Sequence, residues 1–408
     1  MADIPHPRIF VSVAEQSADE HAAALIRAFR AIESQATFHG LAGPAMQAEG
    51  CECLKDMTSK SAMAMAALRR VPEALKLLHQ LKRYFAENSF DAAVMVDSPA
   101  LNLPIAKLCR KFNIPVLYYI APQTWAWGPR NWRNTRVRRR VDRLACLWPF
   151  EQPYFRAAGI NATYVGHPSF DRLLGLKVDE RRIDELRDQA SPIITILPGS
   201  RRHVVEEVLP GQLEVARALA IRFPRVRFLV VAANEGIKTL VEAHIETGLR
   251  KPGARKTGLE KTGPSTEYRV HVLSGASDRA AAIRAADLAL VASGTVTLEV
   301  AYHATPMIVM YNASRWFHLL LGRWLITTKH FSIPNIIAGR EIVPEFMPYY
   351  RSTDPIIARV VEWLSAPQGL DKIREDLNRT IRPIVKTGAA ANTAKQLAEL
   401  LEQTRPIE

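Results

Sequence analysis

A chain of 408 residues is longer than one ordinary domain and comfortable as two of about 150–200 residues each. With 48% hydrophobic and 23% charged residues it has the make-up of an ordinary globular protein that buries a sizeable core, and no window reaches the roughly 18 uninterrupted apolar residues of a spanning helix. A formal net charge of +13 narrows the partners to nucleic acid, an anionic membrane surface or phosphorylated substrates, without choosing among them.

In chain order, residues 8–14 (RIFVSVA) are a short apolar run that predicts a strand, followed by a helical pattern over 19–32. Further strand-like runs stand at 38–42, 92–97, 115–120, 143–148 and 162–165, with helical patterns near 72–87 and 101–112. Short β-rich runs separated by helices predict a parallel, doubly wound sheet. The pattern then restarts: a strand at 193–197, a helix over 205–223, and strands at 227–232, 269–273, 288–291 and 307–311. The fold class is therefore α/β with two Rossmann-like domains, 1–170 and 191–380, joined by a linker at 171–190 and followed by a C-terminal helical segment at 381–408. Ligands of such sheets sit beyond the carboxyl ends of the strands, so the turns that leave those ends are where chemistry is sought.

Two segments stand apart. Residues 248–264 (GLRKPGARKTGLEKTGP) are basic and rich in glycine and proline, and read as a surface loop inserted in the second domain. Over 63–85, Leu68, Val71, Leu75, Leu78 and Phe85 fall at helical spacing among Arg69, Arg70, Lys76, Lys82 and Arg83, which suits a helix packed on a core or one lying in a membrane interface. The cysteines, Cys51, Cys53, Cys109 and Cys146, fit neither a zinc spacing nor a disulfide framework and read as reduced, buried thiols of a cytoplasmic protein. The N-terminus lacks a basic stretch followed by an apolar one, so no signal peptide is expected.

Several strand-end turns carry chemistry-bearing residues. After the first strand, Ala14-Glu15-Gln16-Ser17-Ala18-Asp19 opens a helix that Ser17 or Asp19 can cap. Asp97 follows the apolar run Ala93–Val96 and precedes Pro99, the position of a cleft carboxylate that apolar neighbours tune into a general base, or of a simple cap. In Ala121-Pro122-Gln123-Thr124-Trp125-Ala126-Trp127, Trp125 and Trp127 offer an aromatic wall or pack in the core. Seven arginines between Arg130 and Arg143, with Trp132 among them, suit nucleic acid, phospholipid headgroups or a substrate phosphate. In Leu197-Pro198-Gly199-Ser200-Arg201, Gly199 permits close backbone approach while Ser200 and Arg201 donate to phosphate oxygens. Ala292-Ser293-Gly294-Thr295-Val296-Thr297-Leu298-Glu299 repeats that design, with hydroxyls and N–H groups for a diphosphate and Glu299 placed for ribose hydroxyls.

Taken in order, LAGPAMQAEGCE (41–52), VDSP (96–99), APQTWAW (121–127), WPFEQPYF (148–155), VGHP (165–168), LPGSR (197–201), ASGTVTLE (292–299) and IPNIIAGREIVPE (333–345) resemble the lipid-A-disaccharide synthase family of inverting glycosyltransferases. The resemblance implies a GT-B fold, with two Rossmann-like domains facing a central cleft, no metal or cofactor, and a C-terminal helix returning to the first domain. It implies transfer of 2,3-diacylglucosamine from its UDP conjugate to 2,3-diacylglucosamine 1-phosphate, giving a β-1,6 disaccharide 1-phosphate and UDP.

Carried over position by position, Asp97 is the base that deprotonates the acceptor 6-hydroxyl, with Glu15 second. Gly199, Ser200, Arg201, Ser293, Gly294, Thr295 and Thr297 hold the UDP, Glu299 its ribose, and Asn335, Arg340 and Glu341 line the donor side. Ser17, Asp19, Trp125 and Trp127 fall to the acceptor side. An anionic membrane surface is the expected partner rather than nucleic acid, at the inner face of the cytoplasmic membrane, and a homodimer is compatible with the family. The chain departs from the family where glycines are replaced by Ala14, Ala18 and Ala64, where an acidic residue is replaced by Val204, and where a glutamine is replaced by Pro348. If Ala14 or Ala18 needs a positive φ, the loop is strained by roughly 1 kcal/mol. Alternatives are a paralogue with another lipid acceptor, an enzyme like the UDP-sugar 2-epimerases, and a non-enzymatic protein binding nucleic acid or membrane through its arginines.

Overall fold

A computed structural model describes residues 6–58, 71–126, 128–187, 192–250, 270–312 and 328–404. The first sheet contains β1 (Arg8–Ser12), β2 (Thr37–Leu41), β3 (Glu52–Lys55), β4 (Ala92–Val96), β5 (Val116–Tyr119), β6 (Arg143–Cys146) and β7 (Ala162–Tyr164). All its ladders are parallel, in the order β3-β2-β1-β4-β5-β6-β7. Every residue of β4 (AAVMV) is buried, because helices cover both faces of a parallel sheet and alternation is not required. β3 (ECLK) was not expected, and the reason is physical: three of its four residues are exposed, as suits a charged edge strand without an apolar run.

The second sheet contains β8 (Ile193–Leu197), β9 (Arg227–Ala232), β10 (Val270–Ser274), β11 (Leu288–Ala292), β12 (Met307–Met310) and β13 (Glu345–Phe346), in the order β10-β9-β8-β11-β12-β13 and again parallel. Both orders reverse direction beside the first strand of the sheet. The chain winds outward from β1 to β3 and returns to place β4 on the other side of β1; β8 and β11 repeat the move. The crevices at these reversals, between β1 and β4 and between β8 and β11, are where α/β sheets receive ligands.

The chain divides into two compact units. One comprises Met1–Asp171 with Ile384–Glu408, the other Arg172–Pro383. In the first, the helix Ala389–Thr404 packs on the helix Gln16–Arg30. Buried Arg143 on β6 donates to Gln396 at 3.0 Å and to Glu399 at 2.5 Å, and the Asp171 carboxylate accepts the N–H groups of Gly388 and Ala389 at 2.6 and 3.1 Å. The stretch 171–190, expected as a linker, carries instead the end of the helix Pro168–Gly175 and the helix Glu180–Arg187. The latter packs on the helix Ala276–Ala285, where Arg182 meets Asp278 at 3.0 Å.

Around Phe10, the rings of Phe85 and Phe90 pack edge-on at 4.9 and 5.8 Å. Phe85, Leu77 and Leu81 are the buried stripe of the helix Val71–Glu87, while Leu75 on the same helix stays 62% exposed. The described part of the amphipathic segment is thus a helix seated on the core; its beginning at 63–70, with Ala64, lies outside the described residues, as does most of the 248–264 insertion.

Candidate functional site

In the second unit, Leu197 pairs with Val291, so the turns after β8 and β11 leave the sheet side by side. Gly199 turns the chain at φ +113°, and a Cβ there would lie 2.9 Å from Cγ1 of Val204, so only glycine makes this turn without strain. The helix Arg202–Arg222 begins directly afterwards with no side-chain cap on its first N–H groups. A cavity of about 470 Å³ opens here, bordered by Gly199, Ser200, Arg201, Ser293, Gly294 and Thr295. Three guanidiniums line it, from Arg172, Arg201 and Arg279, against the single carboxylate of Glu299. Both oxygens of that buried carboxylate accept from Arg279 Nε at 3.0 Å, and no partner among the described residues takes the terminal nitrogens of Arg279. Main-chain donors and an excess of guanidinium charge suit a diphosphate.

In the first unit, β1 and β4 pair Ser12 with Met95, and Asp97 follows the end of β4. The backbone is left-handed at Asp97 (φ 51°), Ser98 (φ 45°) and, after β5, at Ile120 (φ 68°). Each costs of order 1–3 kcal/mol, most for the β-branched Ile120, and such conformations persist where their surroundings over-determine them. Here the surroundings are visible. Fully buried Asn102 donates to the carbonyls of Val96 at 2.9 Å and Asp97 at 2.8 Å and accepts the Ser12 hydroxyl at 2.7 Å. The Tyr118 hydroxyl donates to the Asp97 carbonyl at 2.5 Å, and the Asp97 N–H donates to the Tyr119 carbonyl at 3.0 Å.

With its backbone held, Asp97 borders a second cavity of about 550 Å³ that Ile120, Pro122, Trp132, Arg133 and Arg136 also line. Burial pushes the Asp97 carboxyl above the usual carboxylate range; the Ser98 N–H opposes the shift and the Glu15 charge adds to it. A carboxylate with raised proton affinity, on a rigid turn facing a cavity, is equipped to take a proton from a bound hydroxyl.

Of the other residues marked in the sequence, Glu15 is exposed at the start of the helix Gln16–Arg30, within electrostatic reach of Asp97. Ser17 is exposed in the first turn, and neither it nor Asp19 caps that helix. Buried Asp19 instead accepts the N–H groups of Gly43, Ala45 and Met46 at 2.9, 2.8 and 3.2 Å, so it caps the helix Pro44–Ala48 and is not free for an acceptor. Trp125 does not line the Asp97 cavity: its indole N–H donates to Glu151 at 3.0 Å and its ring meets Phe150 edge-on. The aromatic ring bordering that cavity is Trp132; Trp127 lies outside the described residues.

Thr297 is buried behind its turn, its hydroxyl donating to the Gly294 carbonyl at 2.7 Å, so it shapes the turn without lining the cavity. Glu299 reaches the cavity already committed to Arg279. Asn335, Arg340 and Glu341 do not border it. Asn335 is fully buried, donating to the Val343 carbonyl and to Glu345 at 2.7 Å and accepting from Ile342 and Val343; Arg340 pairs with Asp376 at 2.7 Å; Glu341 is exposed. Neither Ala14 nor Ala18 is among the non-glycine residues of positive φ, so alanine strains neither position.

The sequence reading missed Asn102, Arg172 and Arg279. Asn102 had a signal, a lone amide within the apolar run Leu101-Asn102-Leu103-Pro104-Ile105, whereas nothing marks the two arginines out from many others. Among the described residues no group of three or more His, Cys, Asp and Glu is placed to hold a metal ion.

Comparison with known proteins adds the following. A family model described as lipid-A-disaccharide synthetase matches residues 9–400. A curated lipid-A-disaccharide synthase from Myxococcus xanthus (strain DK1622) is 32% identical over 419 residues, covering 98% of this chain and 99% of the relative. One from Neisseria meningitidis serogroup B is 33% identical over 402 residues, covering 98% and 99%. Among solved structures, a UDP-GlcNAc 2-epimerase from Neisseria meningitidis bound to UDP-GlcNAc aligns with a TM-score of 0.56 at 10% identity, over 97% of this chain and all of that one. The glycotransferase of kitacinnamycin aligns at 0.58 and 15% identity, over 97% and 100%. At such identities the likeness concerns the fold, which is of the GT-B type.

Proposed function

We propose a reaction on the premise that this chain belongs to the lipid-A-disaccharide synthetase family: it is a glycosyltransferase that moves 2,3-diacylglucosamine from its UDP conjugate to 2,3-diacylglucosamine 1-phosphate. The acceptor 6-hydroxyl attacks the anomeric carbon of the donor sugar. The bond from that carbon to the UDP phosphate oxygen breaks, and the hydroxyl proton passes to the Asp97 carboxylate. The products are a β-1,6 disaccharide 1-phosphate and UDP.

The observation that carries this reading is the cavity between β8 and β11, where two strand-end turns converge and guanidiniums outnumber carboxylates three to one. UDP bound there has its pyrophosphate against the N–H groups of the Gly199 and Gly294 turns and the Arg201 and Arg279 side chains. Negative charge grows on the leaving phosphate in the transition state, and preorganised donors stabilise it without reorganising. Arg279 owes its place to Glu299, so the carboxylate expected at the ribose acts here by orienting a guanidinium.

Both substrates carry acyl chains, so the enzyme works against a lipid surface. The net charge of +13 and the exposed Leu75 on the basic helix Val71–Glu87 support peripheral attachment to anionic lipid. No helix among the described residues is long and apolar enough to cross a membrane. The test is incubation of purified protein with UDP-2,3-diacylglucosamine and 2,3-diacylglucosamine 1-phosphate, with products resolved by mass spectrometry. Disaccharide 1-phosphate with equimolar UDP supports the reading; an isomerised monosaccharide, or no product from either substrate, refutes it.

A further inference from the structure

The cavity beside Asp97 holds charges that removing a proton does not need. Arg133 and Arg136 line it, three residues apart and so on one face of the helix Arg130–Arg138. Neither forms an ion pair with a carboxylate among the described residues, and Arg133 Nε is buried without a hydrogen-bond partner. Removing guanidinium donors from water without an acceptor is costly, so such a site favours an anion that supplies one.

The helix is also fixed in place. The hydroxyl of Thr124, which also lines the cavity, donates to buried Asn134 at 2.6 Å, and Asn134 donates to the Tyr154 hydroxyl at 3.0 Å. The Arg136 guanidinium lies 4.6 Å from the centre of the Trp132 ring, which restricts where it points. Asp97 is the carboxylate bordering the same cavity. Burial raises its proton affinity, the Ser98 N–H opposes the shift and the Glu15 charge adds to it.

We infer that Arg133 and Arg136 bind the phosphate of the acceptor sugar and thereby hold its reacting hydroxyl toward Asp97. A cavity of about 550 Å³ lies within the range of small-molecule sites and is large enough to take a sugar phosphate headgroup. A planar guanidinium pair matches phosphate oxygens bidentately, a geometry that a neutral sugar does not use. The inference rests on the glycosyl-transfer reading above and deepens it: one cavity reads both the charge and the nucleophile of the acceptor, while the nucleotide has its own cluster of guanidiniums in the other unit. Arg133 and Arg136 act as specificity-determining residues.

The experiment compares two acceptors, 2,3-diacylglucosamine 1-phosphate and the same lipid lacking its phosphate, with wild type, Arg133→Gln, Arg136→Gln and the double variant, and measures UDP affinity by calorimetry for each. The expected result is a wild-type preference for the phosphorylated acceptor in kcat/KM. Each single variant erodes it by about tenfold or more, while turnover of the neutral acceptor and the Kd for UDP stay within about twofold. Arg133→Lys and Arg136→Lys, which keep the charge and lose the fork, retain part of the preference and serve where a glutamine variant fails to fold. A wild type that does not discriminate, or variants that keep the full preference, overturn the inference and leave the transfer reading standing. A wild type that forms no disaccharide from either acceptor overturns both.

Discussion

The Asn102 side-chain amide donates to the Asp97 carbonyl oxygen at 2.8 Å, holding a left-handed aspartate whose carboxyl faces a cavity. The same side chain bonds the ends of β1 and β4, so one buried amide fixes the crevice of the first sheet. Asn102→Ala removes these contacts and leaves buried carbonyls unpaired, at a cost of about 2–3 kcal/mol. The expected outcome is a lower urea midpoint and a fall in kcat of about tenfold or more as Asp97 relaxes, with the Kd for UDP unchanged. Calorimetry and steady-state turnover on the same preparation separate the effects. A stability loss with kcat intact would make Asn102 purely structural.

Arg279 and Glu299 form a part-buried pair at the UDP cavity. Arg279→Gln strands the Glu299 carboxylate, so the second unit loses about 3 kcal/mol and UDP binds about tenfold more weakly. Replacing both, Arg279→Met with Glu299→Leu, restores most of the stability, because apolar residues of similar size need no partners. It does not restore affinity. Urea unfolding and UDP titration of the single and double variants check this directly.

Glu15 is a second carboxylate within electrostatic reach of the first crevice, and its charge helps to raise the proton affinity of Asp97. If Asp97 is the base, activity is lost as pH falls through its pKa, above the ordinary carboxylate value. Glu15→Gln then shifts the acid limb of kcat/KM to lower pH and leaves turnover at neutral pH nearly intact. Loss of turnover at every pH would transfer the base's role to Glu15.

Glu151 is buried under the loop that carries Trp125, and burial pushes its carboxyl up to about 7 against three N–H donors, from Trp125, Trp148 and Leu147. The sign follows from linkage. The folded pKa lies above the unfolded one, so the native state binds the proton more tightly and stability falls as pH rises from about 4.5 toward 7. Its size is of order 3 kcal/mol. Thermal unfolding across that range should show a slope that Glu151→Gln flattens.

The strands and the two crevices were legible because burial leaves marks in sequence. β4 and β11 are apolar throughout, β8 is apolar but for Thr195, and the turns that leave them carry Asp97, Gly199 and Ser293, the small or polar residues a strand-end turn requires. What a side chain does across a long sequence gap leaves no such mark. Asp19 stands in the sequence as a candidate cap of its own helix but caps one that begins 25 residues later, and Asn335, which the resemblance puts on the donor side, ties together Val343 and Glu345. For Trp125 the sequence leaves a wall and core packing both open, and only its bond to Glu151 decides for packing. Arg279 is one cation among 54, and only its distance to Glu299 distinguishes it.

The most direct measurement is a single-turnover assay of Asp97→Asn with bound UDP-diacylglucosamine and saturating acceptor 1-phosphate, with UDP affinity measured alongside. Asparagine keeps the size and the backbone contacts but has no basic oxygen, so disaccharide formation should fall by about 10²–10⁴ while UDP binds as in wild type. Turnover within a few-fold of wild type would contradict the assignment of Asp97 as the base and the mechanism built on it.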